Sequence, residues 1–311
     1  MKKGIMNIFS YIRKVFKEFS SDDILKYSAS LAYYTVFSIA PLLVIVSTLS
    51  AIFFGKEAVQ GQVYEQLDGL LGSVAAVQIQ DTIKNIHLTG NNFFATIASI
   101  VILLIGATTI FGEVQDSLNK IWGLRVKTKK TWWKLILTRL LSFSLILCIG
   151  FTMIVSLVLN ALVSAFGKFL GRYIHNFSVY FIEITEAILS FAIASFLFSL
   201  MFKVLPDAKI KWKDVLFGGL ITAIFFTLGK LAIGFYLGKS SLTTLYGAAG
   251  SIIIIMVWVY YSSIILYLGA EFTKVHSKLY GGKIQPNEYA EWIKIEEKHV
   301  ANAQLKNKEL N

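Results

Sequence analysis

The hydrophobic residues of this chain fall in long blocks rather than at alternating positions. Charged residues are absent from 31–54, 88–112, 140–167 and 240–270. Each block is longer than the roughly 20 residues that an α-helix needs to cross a hydrocarbon core about 30 Å thick. The pattern predicts an all-α, polytopic membrane protein with six transmembrane helices, at about 30–54, 93–111, 135–166, 177–203, 215–238 and 247–270.

Three further segments flank or interrupt this transmembrane domain, which we place at 29–275. Residues 1–28 mix basic and apolar side chains at a spacing typical of an amphipathic helix on the membrane surface. A loosely structured positive anchor is the alternative for this arm. Apolar residues recur at helical spacing within 55–92, which predicts an amphipathic helix outside the bilayer. Residues 276–311 are predicted to form a polar cytoplasmic tail.

The distribution of lysine and arginine predicts the orientation. The N-terminal arm, the connections 112–134 and 203–214, and the residues from 271 onward together carry 23 of these residues, against five in the other three connections. Cytoplasmic loops carry the positive excess in membrane proteins, so both termini are expected in the cytoplasm. The net charge of +11 then follows mostly from topology, and we expect no nucleic-acid partner.

Motifs for catalysis or cofactor binding are missing from the sequence. Cys148 is the only cysteine and lies in an apolar block, which excludes an intramolecular disulfide and a thiolate cluster. The four histidines lack metal-ligand spacing, and there is neither a phosphate-binding loop nor a nucleophile elbow. We therefore expect no cofactor and no metal, and the sequence favours a protein that is not an enzyme.

Ionisable residues within predicted spans are the first functional candidates, because burying them in lipid is costly. Glu183 and Glu186 are three residues apart on predicted span 4, so they share a helix face. Lys230 falls at a similar depth on span 5, from a rise of about 1.5 Å per residue. The three side chains either line a polar cavity that opens outward or form a structural ion pair between two helices.

Two other groups of candidates also have two interpretations. Arg139, Glu113 and Glu271 fall at the same predicted level near the cytoplasmic surface, where they form either a gate of ion pairs or ordinary interfacial anchors. Pro41 interrupts span 1. It either frees backbone groups for substrate binding or produces a kink that neighbouring helices satisfy.

Several stretches resemble the YihY/BrkB family of bacterial inner-membrane proteins, which was once labelled ribonuclease BN. They are AYYTVFSIAPLL at 32–43, GATTIFGEVQDSLNKIWG at 106–123, LPDA at 205–208, WKDV at 212–215, YGAAGS at 246–251, WVYYS at 258–262 and GAEF at 269–272. The resemblance implies six helices in the bacterial cytoplasmic (inner) membrane and a role in transport. The polar positions that match the family are Glu113, Asp116, Asn119, Asp207, Asp214 and Glu271.

These observations favour a transporter or flippase-like protein for an amphipathic or anionic envelope-related substrate such as lipid. A scaffold for an envelope assembly that transports nothing is the first alternative, and a membrane enzyme acting on lipids is the second. Expected partners are membrane lipids and envelope-assembly proteins. The sequence gives no support for ribonuclease activity, because no cluster of acids, histidines or metal ligands is apparent in the polar connections.

Overall fold

A computed structural model of the protein describes residues 8–38, 77, 106, 109–127, 177–239, 248–281, 284–288 and 290–293. The helices within these residues are α1 (Ile8–Ser21), α2 (24–38), α3 (109–121), α4 (Phe177–Val204), α5 (Trp212–Lys239) and α6 (Ala248–Leu279). The strands are β1 (Leu124–Val126), β2 (Ala208–Lys209), β3 (Gln285–Pro286) and β4 (Ala290–Trp292). Pro41, Arg139, predicted span 3 and nearly all of 55–92 lie outside the described residues, and what we predict for them stays a prediction.

Three of the described helices are long and apolar enough to cross a membrane. The qualifying stretches are Ala187–Val204, Trp212–Tyr236 and Ile252–Leu279, with mean hydropathies of 2.0, 1.9 and 2.1. Large apolar side chains on α4 and α5, including Ile188, Leu228 and Phe235, are exposed. Such a surface suits contact with lipid rather than water. The predicted total of six spans extends beyond the part of the chain that the structure describes.

Small residues allow α5 to pack closely against α4 on one side and α6 on the other. Gly219 of α5 lies against Ser199 of α4, and a Cβ added at this glycine would overlap the Ser199 hydroxyl. Gly218 lies in the same way against Thr273 of α6. Because lipid tails are as apolar as the helices, close packing of small residues is a main source of helix association in membranes.

The arm that we predicted as one segment, 1–28, is divided between two helices. Helix α1 ends at Ser21, and α2 begins at residue 24 and continues toward predicted span 1. Asp23 between them has a φ of 51°, a left-handed conformation that aspartate tolerates better than most residues. The break allows α1 to leave the direction of α2 and pack against α6, where Tyr11 and Val15 contact Phe272.

Helix α6 also ends later than predicted. The predicted span stopped at 270, whereas the helix continues to Leu279. Phe272 and Val275 are buried in the added part, where they form a small core with Val15 of α1. This protein contact replaces lipid around the last turns. Glu271 is therefore a helical residue, and α6 continues into the first residues of the predicted tail, 276–279.

The residues after α6 return to two connections that the sequence places in one compartment. Strand β4 pairs antiparallel with β1 after α3, and β3 pairs antiparallel with β2 after α4. The indole Nε1 of Trp122, at the end of α3, donates a hydrogen bond to the Ala270 carbonyl at 3.1 Å. The basic segments are thus adjacent, as a shared compartment requires. Their assignment to the cytoplasm stays a prediction.

Candidate functional site

The most concentrated group of charges in the described residues joins α1 to α6. Lys274 Nζ lies 2.6 Å from Glu18 Oε2, 2.6 Å from Asp22 Oδ2 and 3.2 Å from Glu271 Oε2. We call these four residues the Lys274 cluster. Glu18 and Asp22 are four residues apart and Glu271 and Lys274 are three apart, so each pair shares one face of its segment.

Burial makes the Lys274 cluster costly to break. Glu271 is fully buried and Lys274 is 4% exposed. A buried charge that loses its partner costs far more than the pair contributes when it is intact. Burial raises the pKa of Glu18, but the hydrogen bond and positive charge of Lys274 outweigh it and hold that pKa below its ordinary value. Lys278 adds a second positive charge at the exposed rim, 3.7 Å from Glu18 Oε2.

The three carboxylates of the Lys274 cluster also have the geometry of a cation site. Glu18, Asp22 and Glu271 each offer an oxygen, and these oxygens lie within 4.8 Å of one another. Carboxylate oxygens are the ligands that Mg²⁺ and Ca²⁺ prefer. However, the Lys274 ammonium contacts all three groups, so a metal ion would have to displace it. The cation of this site is supplied by the protein itself.

A second buried network holds the connection between α4 and α5 against α3. Gln115 Nε2 and Asn119 Nδ2 donate hydrogen bonds to the two carboxylate oxygens of Asp207, at 2.9 and 2.7 Å. The backbone N–H of Asp207 in turn donates to Asn119 Oδ1 at 2.8 Å. All three side chains are buried. Asn119 and Asp207 therefore act as a pair that positions a loop.

Asp214 and His276 form a third buried contact, between the first turn of α5 and the last turn of α6. Asp214 Oδ1 lies 3.3 Å from His276 Nδ1, and the Phe217 ring stacks on the imidazole with centroids 4.1 Å apart. Asp214 is 2% exposed. A Cβ added at Gly281 would overlap its carboxylate. The histidine that the sequence left isolated thus has an acidic neighbour.

The remaining candidates are not brought together with these three groups. On α3, Glu113 is half-buried and Asp116 is exposed. Lys230 is half-buried on α5. Glu183 and Glu186 belong to α4, but their side chains lie outside the described residues, so their pairing with Lys230 stays a prediction. The predicted gate partner Arg139 also lies outside them.

Sequence reasoning named Glu271 but missed its three partners. Glu18 and Asp22 lie in the segment predicted as a basic arm, and Lys274 enters the prediction only as one of the positive charges beyond residue 270. Two local signals were available. Glu271 and Lys274 are spaced i, i+3 directly after an apolar block, and Glu18 and Asp22 are spaced i, i+4 among lysines and arginines. Neither signal reveals that the two pairs meet.

Helices of membrane-spanning length, with exposed apolar surfaces and buried charges where they meet polar segments, define an integral α-helical membrane protein. The sequence profile of the family described as Virulence factor BrkB matches residues 15–291. The chain belongs to this family, which confirms the resemblance drawn from its motifs.

Individual relatives agree with this assignment. The chain is 26% identical to a UPF0761 membrane protein of Stenotrophomonas maltophilia, with 85% of this chain and 60% of that protein covered. It is 26% identical to a UPF0761 membrane protein of Pseudoalteromonas atlantica, covering 86% of each. It is also 26% identical to the ribonuclease-like protein YfkH of Bacillus subtilis, covering 90% and 98%. The chain spans about three fifths of the length of the first of these relatives. No solved structure matches it.

Proposed function

We propose that this protein is a transporter or flippase-like protein of the bacterial cytoplasmic membrane that moves an amphipathic, anionic envelope molecule such as a lipid. In this proposal the chain crosses the membrane six times with both termini in the cytoplasm. The Lys274 cluster is the closed form of its inner gate. The observation that supports the proposal most is the burial of Glu271 and Lys274 near the end of α6, a candidate membrane span, against the half-buried Glu18 and Asp22.

A charge cluster between two separable elements is suited to gating. Its members are stable when they are paired and dry, or when they are apart and hydrated, and intermediate arrangements leave buried charges without partners. Glu18 belongs to α1 and Asp22 follows the last residue of α1, whereas Glu271 and Lys274 belong to α6. Movement of α1 away from α6 would therefore expose Lys274, a cation, to an anionic substrate. A contact with two stable arrangements, paired and separated, is what a transporter needs in order to open its substrate site to each side of the membrane in turn.

Metal-dependent RNA cleavage is less well supported, although one relative is called ribonuclease-like. The acids of the Lys274 cluster have the oxygen chemistry of a cation site, but the Lys274 ammonium lies among them. A catalytic metal ion would have to displace the Lys274 ammonium, which is part of the chain and contacts all three carboxylates. Hydrolysis of RNA by the purified protein that depends on Mg²⁺ and is lost in Glu271→Gln would contradict this argument.

Transport is tested by reconstituting the full chain in liposomes that contain fluorescently labelled phosphatidylglycerol or phosphatidylcholine. An impermeant reductant then measures how much label crosses to the outer leaflet. We expect the wild-type protein to accelerate crossing relative to protein-free liposomes. If folded protein moves neither lipid nor a panel of anionic envelope precursors, the transport proposal is wrong. The scaffold alternative would then gain support from a stoichiometric envelope protein that co-purifies.

The gate is tested separately with the double variant Glu18→Gln and Asp22→Asn. It removes the two acidic charges at the C-terminal end of α1 but leaves Glu271 and Lys274 as a balanced pair, so no bare buried charge results. We expect a change in the crossing rate of about 5-fold or more, because couplings of this kind are typically worth 1–3 kcal/mol. Arg125→Gln is the control, because it breaks an exposed 2.9 Å pair with Glu291. A rate equal to wild type in the double variant would refute the gate.

The topology is tested by cysteine labelling in a Cys148→Ser background. We expect Lys84→Cys to react with an impermeant maleimide added to intact cells in which the outer membrane has been permeabilised. Lys129→Cys should react only after the inner membrane is opened. Reaction of both positions from the same side would refute the six-span arrangement.

A further inference from the structure

Helix α1 carries an apolar stripe that the described protein does not cover. Phe9 is 77% exposed, Ile12 is 40% exposed and Phe16 is 55% exposed. These residues are spaced i, i+3 and i+7, so they form one stripe along the helix. Exposing three large apolar side chains to water on a 14-residue helix is energetically unfavourable.

Basic residues border the same stripe. Arg13 and Lys17 follow it around the helix, at 100° per residue, on the side away from α6, and the half-buried Lys14 lies beyond them toward the protein-bound face. The third face, which includes Tyr11 and Val15, packs on α6. Helix α1 therefore has an apolar face, a basic face and a protein-bound face. Interfacial helices that bind anionic membranes combine the first two of these faces.

The protein-bound face of α1 lies at the level of a membrane span. Val15 and Tyr11 share a hydrophobic cluster with Ile221 of α5. On the same helix, Leu220 and Ile224 are exposed within the candidate span Trp212–Tyr236. Helix α1 therefore packs beside part of a candidate membrane span whose outer surface is apolar, and a bilayer around this span can also reach the stripe.

We propose that the outer face of α1 binds the surface of an anionic bilayer, with Phe9, Ile12 and Phe16 at the acyl-chain boundary and Arg13 and Lys17 against phosphate headgroups. This binding does not depend on the proposed transport function. Charge complementarity selects anionic lipid over zwitterionic lipid, because basic residues near an anionic membrane gain electrostatic attraction that a neutral surface does not provide. Contact with α6 fixes the orientation of the helix in advance, which lowers the entropic cost of binding.

The test uses the full chain with Cys148→Ser, labelled with an environment-sensitive fluorophore at Phe16→Cys or, as the matched control, at Ser10→Cys on the basic face. The protein is placed in nanodiscs of phosphatidylcholine with or without phosphatidylglycerol. We expect the label at position 16 to shift to the blue and to be quenched by lipids that carry a spin label on the acyl chain. This quenching should be stronger with phosphatidylglycerol, and the label at position 10 should stay unquenched.

A charge-neutralised variant tests the basic face. Arg13→Gln, Lys14→Gln and Lys17→Gln together should reduce quenching at position 16 to the level seen without phosphatidylglycerol. A second triple variant removes the same charge from another exposed basic group, with Lys209→Gln, Lys211→Gln and Lys213→Gln, and should retain the quenching. Raised salt should weaken the wild-type signal without any substitution, because it screens exposed charges, and this measurement stands even if a variant fails to fold.

Several results would overturn the proposal. One is a label at position 16 that reports water in both lipid mixtures, and another is quenching that is equal in both. Equal loss in the two triple variants would indicate a general effect of net charge. A label at position 16 that is shielded from water but not quenched by lipid would show that another protein or a second copy of the chain covers the stripe.

Discussion

The substitution Asn119→Ala tests whether the buried network around Asp207 holds the fold together or serves the substrate. In the folded protein, Asn119 Nδ2 donates to Asp207 Oδ2 at 2.7 Å and Asn119 Oδ1 accepts from the Asp207 backbone N–H at 2.8 Å. Both side chains are almost completely buried, so water does not replace either hydrogen bond without rearrangement. We expect the variant to be destabilised.

The expected cost follows from the two bonds. A hydrogen bond to a charged group contributes about 1.5–3 kcal/mol, and a buried donor left without an acceptor costs about 1–3 kcal/mol. The Asp207 carboxylate keeps its bond from Gln115, at 2.9 Å, which limits the loss. We therefore expect Asn119→Ala to lower the free energy of unfolding by about 3–5 kcal/mol.

The assay is unfolding of the purified chain in mild detergent by titration with a denaturing detergent, followed by tryptophan fluorescence. Lys213→Ala is the control, because Lys213 is exposed in the first turn of α5, and exposed substitutions usually change stability by less than about 0.5 kcal/mol. A double-mutant cycle with Asp207→Ala should give a coupling energy of about 1–3 kcal/mol, as expected for residues that share a network.

Two results would refute this reasoning. The first is a loss below about 1 kcal/mol in Asn119→Ala, which would show that water or another group replaces the hydrogen bonds. The second is additivity with Asp207→Ala. Loss of transport at unchanged stability would instead place Asn119 and Asp207 in contact with the substrate, as the family resemblance alone would allow.

Two further predictions concern α5 and α1. Gly218→Ala should destabilise the protein by about 1–3 kcal/mol in the same unfolding assay, because the added methyl overlaps the Thr273 hydroxyl. Gly234→Ala on the same helix is the control and should cause no such loss, because nothing lies within 4 Å of the added Cβ. Equal effects of the two substitutions would contradict the proposed packing. Lys274 lowers the pKa of Glu18 in the folded state, so the stabilisation is present above the ordinary carboxyl pKa of about 4.3 and is lost as the pH falls through the lower folded value. Stability measured between pH 7 and pH 3 should therefore fall more steeply for wild type than for Glu18→Gln, and parallel profiles would show that the pair contributes nothing.

The candidate site was only partly accessible from the sequence. The family motifs named Asn119, Asp207, Asp214 and Glu271, and all four are buried and paired. Their roles differ in a way that the motifs do not show. Asn119 and Asp207 contact each other, Asp214 contacts His276, and Glu271 contacts Lys274. Lys230 was a candidate because it falls inside a predicted span. Lys274 lies beyond the predicted end of span 6, so the larger cluster at the end of α6 was not predicted.

The sequence by itself determined that the chain enters a membrane as helices and that it belongs to its family. Apolar length and local motifs are properties of contiguous residues, and no distant partner is needed to express them. The three-dimensional structure was needed to show that α1 ends at a turn and packs on α6, and that the residues after α6 pair with two earlier connections. It also decided that Lys274 meets Asp22 across 252 positions of sequence. Which charged residues become neighbours depends on how the helices cross and where the loops turn back. Any lysine attracts any carboxylate, so the sequence alone does not show which of them will meet.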